Sequence, residues 1–175
     1  MDRSITIRSE LPDDYAAIKT VNDLAFGQPN EGTLVEKLRL NPYFIKELSL
    51  VAVDNSTVIG HILFFPIKIR SNSEAHASLA LAPMAVLPDH QNKGIGGKLV
   101  RQGLKVAKQL GFKSVIVVGH KDYYPRFGFS AASKWGIRPP FEVPDESFMA
   151  KPLIKDGLKG VSGLVEYPEE FSQVG

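Results

Sequence analysis

The residues whose types and spacing invite chemistry lie in one segment, Leu79 to Lys98. Pro83 stands in the middle of what otherwise reads as a central strand. Proline has no N–H for the ladder, so the strand must bulge there or lose its neighbour on one side. Backbone groups freed in this way can pair with an extended ligand that carries amides. A few residues on, Gln91-Asn92-Lys93-Gly94-Ile95-Gly96-Gly97 runs into a helix. Its glycines let the backbone come close to a ligand, and the first free amides of the helix point into the same space. Together with the helix dipole they form an anion site suited to phosphates. A Gly-x-Gly loop alone is better explained by a tight turn.

Two familiar phosphate motifs fail on spacing. A P-loop ending in Gly97-Lys98 would need glycine where Asn92 stands, and Leu99 replaces its metal-binding hydroxyl. A dinucleotide fingerprint would need its third glycine at Leu99, and no acidic residue follows at the required distance.

The elements that position this segment follow from the rest of the chain. Its 175 residues suffice for one domain with its own core, and 43% hydrophobic with 23% charged residues is the composition of a soluble globular protein. The absence of cysteine excludes a disulfide framework, a thiol nucleophile and a thiolate zinc site. A net charge of +2 gives little reason to expect nucleic-acid binding. Leu79 to Pro88, the longest apolar run, is about half a bilayer span, and no apolar leader precedes the first strand pattern. A cytoplasmic protein with no membrane partner is expected.

Alternation predicts a strand at residues 4–8. Pro12-Asp13-Asp14 opens a helix that turns Ile18, Val21, Leu24 and Ala25 inward. A break over 26–32 precedes a short helix bearing Leu34, Val35 and Leu38, stopped by Asn41-Pro42. Strands follow at 48–53, 58–65 and 78–86, the first two joined by the turn Asp54-Asn55-Ser56-Thr57. The helix at 95–110 carries Leu99, Gly103, Val106 and Leu110 on one face and is capped by Gly111. Residues 114–118 read as a strand buried on both sides. A helical turn at 122–127 and a strand at 148–154 complete a mixed α/β domain.

The run Met84-Ala85-Val86-x-Pro88, then Gln91-x-x-Gly94-x-Gly96, then Tyr124-x-x-x-Gly128-Phe129 resembles the GNAT superfamily of acetyl-CoA-dependent N-acetyltransferases. The core match covers about residues 5–131. Gly60-His61-Ile62, Leu81-Ala82-Pro83, Tyr123 to Phe129 and Phe148-Met149 are similar to the YhbS-like branch and extend the resemblance over nearly the whole chain. The resemblance implies one acetyltransferase domain with a mostly antiparallel sheet splayed around the coenzyme, residues 132–175 completing the sheet and the acceptor site. It implies acetyl-CoA as cosubstrate, no metal, and a primary amine of a small molecule or peptide as acceptor, attacked directly. A homodimer is compatible with it.

By the same resemblance, amides at Met84, Ala85 and Val86 polarise the thioester carbonyl. Gln91, Asn92, Lys93, Gly94, Ile95, Gly96 and Gly97 hold the pyrophosphate. Tyr124 is the acid that protonates the departing sulfur, a phenol near ~10 facing a thiolate near ~8.5; packing in an aromatic cluster with Tyr123, Phe127 and Phe129 is the competing account. The base is open, because Leu79 to Ala82 carry no carboxylate. His120 suits the task by its ordinary pKa, although a structural histidine fits as well. Glu31 is the second candidate, with a helix N-terminal charge as its alternative. His61, on a central strand, could face the cleft, but a satisfied core histidine is the better reading. The acceptor walls implied are 26–39, 61–65 and 130–148, with Trp135 and Phe141 in the last. A longer acyl group, or a non-catalytic acyl-CoA-binding module, fits the same motifs.

Overall fold

A computed structural model describes residues 4–173. The backbone gathers into two compact units: residues up to Phe64, Pro83–Val106 and from Glu169 form unit 1, and Phe65–Ala82 with Ala107–Pro168 form unit 2. The strands β3 (Thr57–Ser71) and β4 (Glu74–Val86) run through both.

In unit 1, β1 (Thr6–Ser9) pairs antiparallel with β2 (Ser49–Asp54), and β2 with the first part of β3. The β2–β3 turn places Asn55 and Ser56 at φ of 47° and 66°, the left-handed pair that a two-residue hairpin needs. Helix α1 (Tyr15–Phe26) buries Ile18, Val21 and Asn22. Leu24 was expected inward but is 57% exposed. At roughly 100° per residue it falls well to one side of the stripe made by residues 18, 21, 22 and 25. The polar Asn22 takes the core position instead.

Gly27 at φ 66° ends α1, and α2 (Asn30–Arg39) begins sooner than the 26–32 break predicted. Gly32 is part of α2 and lets it approach α1. A Cβ there would meet Lys19 Cδ at 2.9 Å and Asp23 Oδ1 at 2.5 Å. Leu34, Val35 and Leu38 are buried as read from the spacing. In α3 (Ile95–Gln109), Gly103 lies against the ring of Phe64, close enough that a Cβ could not be inserted.

In unit 2, β5 (Ser114–Val118) is parallel to β4 and antiparallel to β8 (Phe148–Pro152), which also pairs with β6 (Ser130–Ala131). Val115, Ile116 and Val117 are buried, as an uninterrupted β-branched run predicts. The last turn of α3 closes with Gly111 N–H donating to Lys108 O and Phe112 N–H to Ala107 O, the paired bonds of a Schellman cap. Leu110, assigned to the apolar face, is 46% exposed because the helix has already ended.

Two features exceed the sequence reading. The β3 and β4 strands extend to a hairpin tip at Asn72-Ser73, well beyond the expected ends at 65 and 78. And β9 (Gly163–Glu166) pairs with both β3 and β7 (Ile137–Arg138). The sheet is mixed and mostly antiparallel, and the fold class is α/β.

Candidate active site

Within unit 2, β4 and β5 are in register at only two pairs, Leu79 with Val115 and Ala80 with Ile116. Beyond Ile116, Val117 and Val118 remain paired with Met149 and Phe148 of β8. The parallel pairing therefore ends three residues before Pro83.

In unit 1 the end of β4 leads into the glycine loop. Ala85 and Val86 are buried and Met84 is half-buried. A short 3-10 turn, Pro88–His90, reverses the chain. Gln91 folds back so that its Nε2 donates to Val86 O at 2.9 Å, fastening the loop to the strand. Asn92 at φ 63° and Gly94 at φ 82° are left-handed, and a Cβ at Gly94 would have nothing within 4 Å, so the loop's outer side is open. The first intrahelical bond of α3 runs from Lys98 N–H to Gly94 O at 3.2 Å. The amides of Ile95, Gly96 and Gly97 precede it and have no carbonyl one turn back, which is the donor set an anion needs. Lys93 is exposed; so are Lys98, Arg101, Lys105 and Lys108, the solvated face of α3.

Tyr124 belongs to unit 2, on the 3-10 turn Tyr124–Phe127. Its ring meets Tyr123 edge-on at 5.1 Å and Phe129 at 5.7 Å, so the aromatic cluster exists. The ring also lies directly over Gly119, which has no room for a Cβ. That role of Gly119 went unread, although a glycine ending an apolar β-branched strand was a signal for it. Burial, with Tyr123 adding to it, pushes the Tyr124 phenol up to about 12, so it stays protonated throughout the neutral range. His120, four residues before Tyr124, is exposed, and its carbonyl accepts from the amides of Tyr123 and Tyr124 at 3.1 and 3.4 Å. Arg126 lies over the Tyr123 ring at 4.8 Å.

Glu31 is half-buried in the first turn of α2 and accepts from Gln28 Nε2 at 3.0 Å on both oxygens. His61 is fully buried between Ser49 and Asn22, with its pKa lowered to about 3 by desolvation and, secondarily, by Arg39. It is a core histidine. Among the described residues no cluster of three or more His, Cys, Asp or Glu is arranged to hold a metal, and no helix is long and apolar enough to cross a membrane.

The sequence profile of the Acetyltransferase (GNAT) family matches residues 18–129. The chain is similar to YhbS of Escherichia coli, an uncharacterized N-acetyltransferase, with 33% identity over 95% of this chain and 98% of that protein. It is 36% identical to YjhQ of the same organism, also an uncharacterized N-acetyltransferase, over 76% of this chain and 74% of that one. Among solved structures, E. coli YhbS in complex with CoA superposes with a TM-score of 0.93 at 32% identity, covering 100% of this chain and 96% of that one. A GNAT family acetyltransferase from Brucella melitensis in complex with acetyl-CoA gives 0.79 at 32% identity, over 97% and 99% of the two chains.

Proposed function

The chain belongs to the acetyltransferase (GNAT) family, and from that premise we propose that it moves the acetyl group of acetyl-CoA to a primary amine of a small molecule or peptide. The observation that carries this reading is the head of α3. There a left-handed Gly94 on an open face precedes three amides without intrahelical partners. Such a cradle suits a diphosphate, and the YhbS structure that is so similar over the full chain was solved with CoA. The family is an acyltransferase family; the acetyl donor, the amine and the direct attack are the proposal.

Acetyl-CoA supplies an acetyl group already activated as a thioester. Amides from Met84 to Val86, past the point where β4 leaves β5, hydrogen-bond the thioester oxygen as it gains charge, a type of contact worth roughly 3 kcal/mol. Gln91 to Gly97 grip the pyrophosphate, with Gln91 holding the loop on Val86. The amine nitrogen bonds the carbonyl carbon, the carbon–sulfur bond breaks, and the amine's proton leaves to His120, directly or through water. Glu31 is the second acceptor for that proton. Tyr124, kept protonated by its burial, supplies a hydrogen to the sulfur. In this reading the whole chain acts in the cytoplasm as one acetyltransferase domain, and residues 132–175 help select the acceptor.

The lack of a carboxylate on Leu79 to Ala82 favours one alternative, an acyl-CoA-binding module without turnover. Thiol release from acetyl-CoA across polyamines, aminoglycosides, amino acids and N-terminal peptides separates the two, with CoA affinity measured by calorimetry. Turnover with at least one amine is expected, and CoA binding should vanish in Gly96→Trp while the fold persists. CoA binding without turnover by any amine supports the module, and unchanged CoA affinity in Gly96→Trp removes the site.

A further inference from the structure

Five polar side chains with no part in that chemistry are enclosed in unit 1. Glu10 follows β1 and is 1% exposed; Asn22 of α1, Ser49 of β2 and His61 of β3 are 0% exposed. Arg39 ends α2, and its side chain is 11% exposed beside the Tyr15 ring. They form one unbroken chain. Arg39 Nε donates to Glu10 Oε2 at 2.8 Å and Nη2 to Oε1 at 3.1 Å. Ser49 Oγ lies 2.5 Å from Glu10 Oε1 and 2.9 Å from His61 Nε2. Asn22 Nδ2 lies 3.3 Å from His61 Nδ1 and donates to Ile18 O at 3.0 Å.

The direction of every hydrogen is forced. Arg39 only donates, so Glu10 sits opposite it as an accepting carboxylate. Ser49 must then donate to Glu10 and accept from His61 Nε2–H. That leaves Nδ1 as the lone pair, filled by Asn22. One tautomer and one amide orientation fit these bonds, and they leave Asn22 Oδ1 buried without a partner. A buried ion pair gains little over apolar packing of equal volume, so stability alone does not account for it. What such a chain adds is a single geometry, where apolar surfaces tolerate repacking. Its members come from both helices and from the strands beneath them.

We propose that Glu10, Arg39, Ser49, His61 and Asn22 are positioning residues whose chain sets the seat of α1 and α2 on β2 and β3, and with it the amine-acceptor wall. The last clause rests on the reading of residues 26–39 as that wall. Gly32, pressed against Lys19 and Asp23, couples α2 to any shift of α1.

Ser49→Ala cuts the chain at its middle, and Ser49→Thr returns the hydroxyl. In Ser49→Ala, amide hydrogen exchange over residues 15–39 should quicken, with α3 exchange unchanged and CoA affinity by calorimetry within about twofold. With the best amine of the panel, KM should rise about tenfold while kcat stays within about threefold, and Ser49→Thr should recover most of the loss. Glu10→Gln gives the second reading, because in either orientation its NH2 faces a donor of Arg39, and in one of them Ser49 as well, and it should disturb the His61 nitrogen shifts. An unchanged KM with quickened exchange would leave a purely structural network and overturn the proposal. If the wild-type protein acetylates no amine, the functional reading fails by itself. The network then stands or falls on exchange over residues 15–39, and unaltered exchange in Ser49→Ala refutes it.

Discussion

His61 ties the acid stability of this protein to one buried ring. Its pKa falls from 6.5 to about 3, because burial penalises the imidazolium and Arg39 repels it. Geometry gives the same sign, since a proton on Nδ1 would face the donating Nδ2 of Asn22. Between the two values the unfolded chain takes up a proton that the folded chain refuses. The stability is therefore complete above the ordinary value and drains away as pH falls toward the folded one, by about 1.4 kcal/mol per pH unit. Two units of acidification then cost about 3 kcal/mol, a large share of the roughly 5–15 kcal/mol that holds a domain together. Urea unfolding of the wild type and of His61→Gln, in half-unit steps between about pH 7.5 and 4.5, measures it. Glutamine can donate and accept but does not titrate, so its curve should be flatter by about that slope. Other groups contribute equally to both proteins, including Asp14, whose pKa is lowered chiefly by its hydrogen bond to Arg8. Parallel curves for the two proteins would refute the reasoning.

Tyr124→Phe should lower turnover by roughly 10²–10⁴-fold, the range of general acid catalysis, with CoA affinity unchanged by calorimetry; unaltered turnover would leave the tyrosine a packing residue. Gly119→Ala puts a methyl group where the Tyr124 ring lies, so turnover should fall as in Tyr124→Phe, and the double variant should be no worse than either alone. Gly103→Ala drives a methyl into the Phe64 ring and should cost about 1–3 kcal/mol in urea unfolding, while a neutral result would mean that the ring has room to turn.

The fold was legible where a single local rule decides. Period-two alternation marked β1, and apolar runs on either side of the Asp54-Asn55-Ser56-Thr57 turn marked β2 and the first part of β3. The 3.6-residue stripe of Leu99, Gly103, Val106 and Leu110 marked α3 although Leu110 falls beyond its end, and Gly111 marked that end. It was not legible where tertiary partners override the local signal. Ser71 to Ala77 is short of large apolar residues and the long hairpin holds it extended, although Ile67-Lys68-Ile69-Arg70, which pairs with β9, alternates in strand period. Gly32 reads as a helix breaker because nothing in its neighbours reveals that α1 passes against it. Asn22 looks like an exposed helix residue, since its partner His61 lies thirty-nine positions away.

The candidate site divides along the same line, and the reason is chemical. Gripping a coenzyme by its backbone demands special backbone, and special backbone leaves its mark in residue type. Pro83 accompanies the early end of the β4–β5 ladder, and Gly94 supplies the left-handed turn before three free amides. Accepting a proton demands only a lone pair within reach of the amine or of one intervening water. Histidines and carboxylates are scattered through the chain for many reasons, so neither residue type nor spacing singles out the base. His120 is exposed just before the turn that carries Tyr124, whereas Glu31 is half-buried and accepts from Gln28 on both carboxylate oxygens. A carboxylate keeps lone pairs beyond those two bonds, so it is exposure and nearness in the chain to Tyr124 on which we propose His120 ahead of Glu31 as the acceptor.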